Sequence, residues 1–213
     1  MSGTAHCSLC GGGEPAHYHR DRRRLYLRCR ECGLVYVPPA YFLDPAAERA
    51  EYDLHQNDVY DSGYRRFLSR LAEPLLQRVR PPAAGLDFGC GPGPALAHML
   101  REAGLQVALY DPFYAPDPGP LGDRHDFICA TEVVEHLHRP GEELSRLWSL
   151  LRPGGWLGVM TKLVTDAQAF AGWHYKNDPT HVCFFSAGTW RWWAARNGAG
   201  LQFAGSDVIL LQK

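Results

Sequence analysis

The most constraining stretch of the chain is Leu86-Asp87-Phe88-Gly89-Cys90-Gly91-Pro92-Gly93-Pro94. It reads as a short apolar strand carrying a carboxylate, then a glycine-rich turn, then a helix that starts near Ala95. Glycine lets the backbone approach a ligand closely, and the first turn of a helix offers N–H groups without a partner inside the helix. This order of elements therefore suits a nucleotide-like ligand. The dinucleotide pattern G-x-G-x-x-G needs glycine at position 94, which is Pro94 here, so a dinucleotide is not expected. A second landmark follows at a fitting distance. Val107-Ala108-Leu109-Tyr110-Asp111 is an apolar strand closing on an acid, and a carboxylate about 20 residues past such a loop can accept from both hydroxyls of a ribose.

These stretches resemble the class I S-adenosylmethionine-dependent methyltransferases. Asp87 to Gly93 is similar to the first motif of that family and Asp111 to its ribose-binding acid. Asp126 to Glu132 is similar to its fourth strand, and Leu151-Arg152-Pro153-Gly154-Gly155-Trp156 to the turn before its fifth. The resemblance covers roughly residues 60–213. It implies an α/β fold, a Rossmann-like, mostly parallel sheet with helices on both faces and a C-terminal antiparallel hairpin. It also implies S-adenosylmethionine as cofactor, held by Asp87, Gly89, Cys90, Gly91, Gly93, Asp111, Pro112, Thr131 and Glu132. The chain departs from the family between Asp111 and Asp126, where only fourteen residues stand and five of the first nine are Pro or Gly. The third strand is thus expected to be missing or vestigial, with the adenine side of the site built by Phe113, Tyr114 and Leu121.

Cysteine usage marks a second unit. Cys7-x-x-Cys10 and Cys29-x-x-Cys32 are separated by eighteen residues, within the spacing of a four-cysteine zinc site, and Gly11 and Gly33 follow each pair where a tight knuckle needs freedom. Tyr18 to Arg28 between them reads as a hairpin, so residues 1–40 are expected to form a zinc ribbon. Metal would supply much of the folding free energy of so small a unit, and the ribbon has two compatible roles, structural staple and substrate reader. It carries Arg20, Arg22, Arg23, Arg24, Arg28 and Arg30 against three acids. That surplus reads either as a solvated face or as a greeting for an anionic substrate.

Residues 41–82 read as a linker with a packing helix. Tyr52-Asp53-Leu54-His55-Gln56-Asn57 is rich in polar and aromatic groups, and the segment before the first strand often folds over the cofactor in the resembling enzymes. Tyr52 and His55 are therefore lid candidates, with an exposed helix end as the alternative. Tyr64, Phe67, Leu68, Leu71, Leu75 and Val79 recur at helical spacing and predict a helix packed on the sheet, bent at Pro74, without chemistry. Residues 83–213 are expected to form the methyltransferase domain. After its glycine loop, Leu96, Met99, Leu100 and Ala103 predict a helix closed by Gly104, and near the C-terminus a helix through Trp190 and Trp193 ends at Gly198 before a hairpin.

Thr131-Glu132-Val133-Val134-Glu135-His136 carries the most chemistry. On a helix starting here, Glu132, Glu135 and His136 share one face, and two carboxylates with an imidazole suit Mg²⁺, Mn²⁺, Fe²⁺ or Zn²⁺. The run resembles the E-x-x-E-H metal site of small-RNA 2′-O-methyltransferases and ubiquinone-pathway O-methyltransferases, which implies a second divalent ion. In the RNA enzymes a further histidine after strand five completes the set, and this chain offers His174 and His181 there. An E-H pair that contacts cofactor or caps a helix is the other reading. His181, His136 and Tyr175 are the candidate catalytic groups, with His181 serving as base or fourth ligand and Tyr175 as the less favoured base. Phe184 and Phe185 read as core.

Composition fits a globular chain, with 46% hydrophobic residues, 21% charged and a net charge of −1. No apolar run reaches the ~20 residues that span a bilayer. Seven cysteines fit a reducing compartment with a metal site better than a disulfide framework, so a cytoplasmic location is expected. The expected acceptor is a hydroxyl on a small molecule or saccharide. RNA is the alternative, opposed by the absence of a recognised RNA-binding module and by few lysines. A non-enzymatic module that senses cofactor and binds a partner through the ribbon is the reading from another class.

Overall fold

The computed structural model describes residues 6–54 and 58–213. His55, Gln56 and Asn57 of the expected lid lie outside the described residues. The N-terminal strands are β1 (Ala16–Arg20), β2 (Leu25–Arg28) and β3 (Val35–Tyr36), the first two forming the expected hairpin between the cysteine pairs. Then come α1 (Pro45–Tyr52) and α2 (Ser62–Leu76), each opened by an aspartate side chain, Asp44 and Asp61, that accepts from free N–H groups of the first turn. Pro74 lies inside α2 as expected.

The main sheet is built from β4 (Ala84–Phe88), β5 (Gln106–Tyr110), β6 (His125–Thr131), β7 (Leu151–Met160), β9 (Gly200–Phe203) and β10 (Val208–Gln212), with β8 (Cys183–Phe184) standing apart. Helices α3 (Ala95–Glu102), α4 (Pro140–Leu150), α5 (Ala167–Ala171) and α6 (Ala187–Asn197) connect them. Strand order is β5-β4-β6-β7-β10-β9, parallel through β7 and antiparallel at the closing hairpin. Among the described residues no strand forms between β5 and β6, only a 3₁₀ turn at Gly119–Gly122, so β5 is the edge of the sheet. The fold class is therefore the expected Rossmann-like one. One strand differs in extent. β7 begins at Leu151, paired with His125, and resumes with Trp156 on Phe127, so Arg152 to Gly155 bulge out of the ladder. Gly155 is required there, because a Cβ would sit 2.9 Å from the Asp126 carbonyl oxygen.

Period-two alternation sorts the strands onto two cores. Leu86, Phe88, Ile128, Ala130, Leu157, Val159, Ile209 and Leu211 face α4 and α6. Phe127, Cys129, Trp156, Met160, Val208 and Leu210 face α2 and α3, through Leu68, Leu71, Leu75, Leu96 and Leu100.

The N-terminal ribbon is not a free appendage. Cys7, Leu9, Cys29, Cys32, Leu34 and Tyr36 belong to the same buried cluster as Leu144, Leu147, Trp190 and Trp193. β3 also pairs antiparallel with β8, Val35 against Phe184 and Tyr36 against Cys183, giving a four-stranded sheet β1-β2-β3-β8. The first knuckle rests on the start of α4, where the Gly141 N–H donates to the Ser8 carbonyl at 3.1 Å. A Cβ on Gly141 would lie 2.2 Å from the Leu9 carbonyl oxygen, so only glycine permits this approach. Gly141→Ala is expected to cost about 1–3 kcal/mol by overpacking against backbone. Thermal unfolding should show the lower midpoint.

Candidate active site

The site is a cavity of about 800 Å³ at the C-terminal ends of β4, β5, β6 and β7, the place where open α/β sheets bind ligands. All nine residues expected to hold the cofactor line it: Asp87, Gly89, Cys90, Gly91, Gly93, Asp111, Pro112, Thr131 and Glu132. Gly89 and Gly91 have φ of +71° and +63°, which only glycine adopts without strain. A Cβ on Gly89 would also lie 2.5 Å from Val133.

Asp111 is fixed by its own surroundings. Its Oδ2 accepts from the Gly91 N–H at 3.0 Å, and its Oδ1 accepts from the N–H groups of Phe113 and Tyr114 at 2.8 and 3.1 Å. The carboxylate thus joins the end of β5 to the glycine loop and still faces the cavity, as a ribose-binding acid requires. Asp87 is buried, and among the described residues its Oδ1 has no hydrogen-bond partner. Burial pushes its carboxyl up to about 7, against the Ala97 N–H and the Arg101 charge. Phe113 and Tyr114 line the cavity as expected, whereas Leu121 does not and packs into the core beneath.

α1 lies beside the cavity, with Glu48 and Tyr52 in its lining. The Tyr52 ring contacts Phe113 and His136 at centroid distances of 5.7 and 5.3 Å, and the Tyr114 hydroxyl donates to Asp53 at 2.6 Å. Tyr64 of α2, which its helical stripe marks only as core, also lines the cavity. Burial and the nearby Asp87 charge push its hydroxyl up to about 12.

The Glu-His run does not form the α-helix its spacing predicts. Glu132 takes a φ of +51°, and a single 3₁₀ turn, Val134–His136, follows. Glu132 stays near Glu135 but outside the cluster that Glu135 forms with the histidines. Donor atoms of Glu135, His136 and His181 lie within 4.8 Å of one another, and Glu132 is not in that set. The Glu132 and Glu135 side chains are instead linked through the Tyr175 hydroxyl, which donates to Glu135 and lies 3.4 Å from Glu132. Glu135 is fully buried, and among the described residues its Oε2 has no hydrogen-bond partner. Burial raises the pKa of both carboxyls, and the Glu132 charge raises that of Glu135 further. Burial and the same two charges drive the Tyr175 hydroxyl far above its ordinary range, in keeping with its donation to Glu135.

His181 stands on the segment before β8. Its Nδ1 lies 2.7 Å from the Tyr175 carbonyl oxygen. A carbonyl can only accept, so Nδ1 carries the proton and Nε2 of the neutral ring keeps its lone pair. Burial lowers the pKa to about 4 despite Asp178, and Nε2 is 3.7 Å from that carboxylate. His174, the other candidate after strand five, is exposed and bonds Lys162 at 3.0 Å. It lines the cavity outside the Glu135–His136–His181 set. Lys162, which sequence reasoning passed over, sits 5.2 Å from the Tyr175 ring centroid and lowers the pKa of Glu132.

Four residues of the ribbon hairpin reach this segment, Asp21, Arg23, Arg24 and Tyr26, with Arg23 donating to the Asn177 carbonyl at 3.1 Å and the Tyr26 hydroxyl to that of Lys176 at 3.2 Å. Arg24 is buried, contrary to a purely solvated arginine face. Its guanidinium donates to the carbonyls of Lys176, Asp178, Pro179 and His181. Asp21 accepts from the buried Lys176 ammonium at 2.8 Å. At the other end of the ribbon the four cysteine sulfurs lie within 4.8 Å of one another, a donor set that fits a tetrahedral thiolate metal.

Comparison with known proteins follows this geometry. A family profile described as a methyltransferase domain matches residues 60–202. The biotin biosynthesis bifunctional protein BioCD of Bordetella avium is 28% identical over 152 residues, 62% of this chain and 31% of that protein. The chain thus spans about a third of the length of this curated relative. Among solved structures, the Burkholderia thailandensis 1,6-didemethyltoxoflavin-N1-methyltransferase, with bound 1,6-didemethyltoxoflavin and S-adenosylhomocysteine, superposes with a TM-score of 0.55 at 18% identity. It covers 94% of this chain and 99% of its own. An S-adenosylmethionine-dependent methyltransferase of Archaeoglobus fulgidus gives a TM-score of 0.55 at 14% identity, covering 80% and 100%. With a cavity built from the glycine loop and Asp111, and the family profile over most of its length, this chain belongs to the S-adenosylmethionine-dependent methyltransferases.

Proposed function

We propose that this methyltransferase acts on a hydroxyl of a small-molecule or saccharide acceptor, assisted by a divalent ion at Glu135, His136 and His181, while the four cysteines hold a structural zinc. The observation that carries the reading is the convergence of those three side chains within 4.8 Å beside the glycine loop, with one oxygen of fully buried Glu135 left without a hydrogen bond among the described residues. A buried unpaired carboxylate oxygen is costly unless a proton or cation meets it. The cavity volume suits a cofactor with a small acceptor.

When bound, S-adenosylmethionine supplies an electrophilic methyl group on a sulfonium sulfur, open to in-line displacement. Asp111 holds the ribose, and the glycine loop brings backbone N–H groups to the cofactor. α1, through Tyr52, covers the adenine side and keeps water out. Glu135, His136 and His181 would hold a divalent ion through one carboxylate and two imidazoles, and such an ion would supply positive charge that eases loss of the acceptor hydroxyl proton. Should no ion bind, Nε2 of His181 is the atom that takes this proton, because its ring is neutral and its Nδ1 is already committed. Tyr175 donates to Glu135 and so orients the carboxylate.

Metal analysis tests this directly. The wild-type protein dialysed against Mn²⁺ should hold one zinc and one Mn²⁺, and a Glu135→Ala/His136→Ala variant should keep the zinc and lose the Mn²⁺. In a screen of vicinal diols that monitors S-adenosylhomocysteine formation, the variant should be at least ~100-fold slower, the usual scale for losing a group that assists proton removal. Wild-type protein with no second ion would sink the metal and leave His181 as base. Cofactor binding is a separate matter: Asp111→Ala should weaken S-adenosylhomocysteine by about 10- to 100-fold in calorimetry, the worth of one or two hydrogen bonds to a charged group. Tyr52→Ala should weaken it by about 3- to 10-fold through lost aromatic contact, and unchanged affinity would remove the covering role of α1.

A further inference from the structure

We infer that Arg24 is a positioning residue for the methyl-transfer site, and that the ribbon hairpin, by clamping the Lys176–His181 segment, sets the orientation of the His181 ring. The inference rests on the role of His181 given under the proposed function, and the ribbon contacts that carry it are independent of any metal.

The geometry is a fork closed on a loop. Arg24 Nη1 donates to the carbonyls of Pro179 and His181 at 3.2 and 2.8 Å, and Nη2 donates to those of Lys176 and Asp178, the latter at 2.8 Å. Nε completes the set on the Tyr26 hydroxyl at 3.3 Å. One planar guanidinium thus fixes four peptide groups within six residues, a pattern that needs the rigid fork of arginine and that a lysine ammonium cannot reproduce. From the other side, Lys176 reaches back to Asp21, whose Oδ1 also accepts from the N–H groups of Arg23 and Arg24 at 2.8 Å. Burial opposes ionisation of Asp21, but Lys176 and these N–H groups hold its carboxyl well below the usual range. The hairpin turn and the loop therefore lock into each other.

The His181 ring packs against Tyr175 and His136 at centroid distances of 4.2 and 4.6 Å, whereas its backbone is held by contacts that include the ribbon. Its backbone N–H donates to the Asp178 carbonyl at 3.3 Å, its Nδ1 bonds the Tyr175 carbonyl, and its own carbonyl is held by Arg24. The next residue, Val182, donates to the Glu135 carbonyl at 2.8 Å, and its own carbonyl accepts from the Val37 N–H at 2.9 Å. The path that brings His181 to Glu135 and His136 thus passes through ribbon contacts on both sides, Arg24 before β8 and Val37 at its start. A helix or strand would have set this segment through its own ladder. The described residues here form only a 3₁₀ turn at His174–Asn177, so the carbonyls that follow are left for Arg24.

The test compares wild type, Arg24→Lys and Asp21→Asn in the full chain with saturating S-adenosylhomocysteine. Four quantities are read: zinc content, S-adenosylhomocysteine affinity, the side-chain nitrogen signals of His181 at a fixed pH of about 8, and amide exchange across residues 176–182. The expected result for Arg24→Lys is retained zinc and S-adenosylhomocysteine affinity within about 2-fold of wild type. His181 should lose its pure Nδ1–H signature, and exchange of 176–182 should rise at least 10-fold. Asp21→Asn should move the same two signals in the same direction by less. Arg24→Lys with the wild-type His181 signature and exchange would overturn the inference. Should that variant lose cofactor binding through general unfolding, Asp21→Asn decides the matter, and a wild-type signature there would overturn it. Mn²⁺ titration of the same samples separates the two readings. A moved His181 signature in protein that never binds Mn²⁺ supports the clamp while sinking the metal, and Mn²⁺ binding with an unmoved signature overturns the clamp alone.

Discussion

The active site depends on a pairing between two very short strands, β3 and β8, far apart in sequence. Each is two residues long, and neither would persist without neighbours. β3 is held by the hairpin and the cysteine knuckles, and β8 by the Glu135 carbonyl and by burial of Cys183, Phe184 and Phe185. Because their partners differ, the pairing transmits order from the ribbon to the turn that carries Glu135 and His136. A ribbon that only tied down its own end of the chain would not share a buried cluster with Trp190 and Trp193, nor a sheet with the residues following His181.

That transmission matters because the carboxylate side of the cavity is electrostatically expensive. Glu132 and Glu135 are close to each other in a setting poor in water, with Tyr175 as their shared donor. Burying two carboxylates together stabilises nothing by itself, since each loses hydration and repels the other. The arrangement persists because the surrounding fold over-determines it: Cys183 Sγ donates to the Val134 carbonyl at 3.0 Å, Val182 holds the Glu135 carbonyl, and the Glu132 N–H donates to the Met160 carbonyl at 2.8 Å. Strain of this kind, including a positive φ at Glu132, is the usual companion of a functional site.

What could be read from sequence follows the range of the interactions involved. The glycine loop, the acid at Asp111, the amphipathic α2 and α3 and the αL cap at Gly198 are local patterns, and each stands where its spacing places it. The cysteine spacing likewise brings four sulfurs together. Glu132 to His136 shows the limit of the method. Helical spacing describes which side chains would share a face, but the positive φ at Glu132 comes from the close approach of Val133 to Gly89 and of Glu132 to β7, contacts no window of sequence contains. Arg24 shows the same limit from the other side. Within a run of six arginines nothing distinguishes it, and only the loop of carbonyls at 176–181, some 150 residues away, makes it a buried group.

The missing third strand explains why α1 is placed as it is. With no further strand beyond β5 among the described residues, Asp111, the proposed ribose-binding acid, sits at the sheet edge, followed by a proline-rich loop in place of a helix. An edge carboxylate open to water would bind ribose hydroxyls weakly, because water competes for both partners. The chain compensates twice. Asp111 accepts three backbone N–H groups that freeze its orientation, and Tyr114 in the same loop bonds Asp53 while Phe113 meets Tyr52. The C-terminal end of α1 thus stands where the absent strand and helix would have given shelter. Since Tyr52 also touches His136, the element beside Asp111 reaches the Glu135–His136–His181 cluster as well. With β5 at the sheet edge, a wall of the cavity is therefore built by a short helix, joined to the rest through aromatic contacts, the Tyr114–Asp53 hydrogen bond and a Glu48–His138 contact at 2.8 Å.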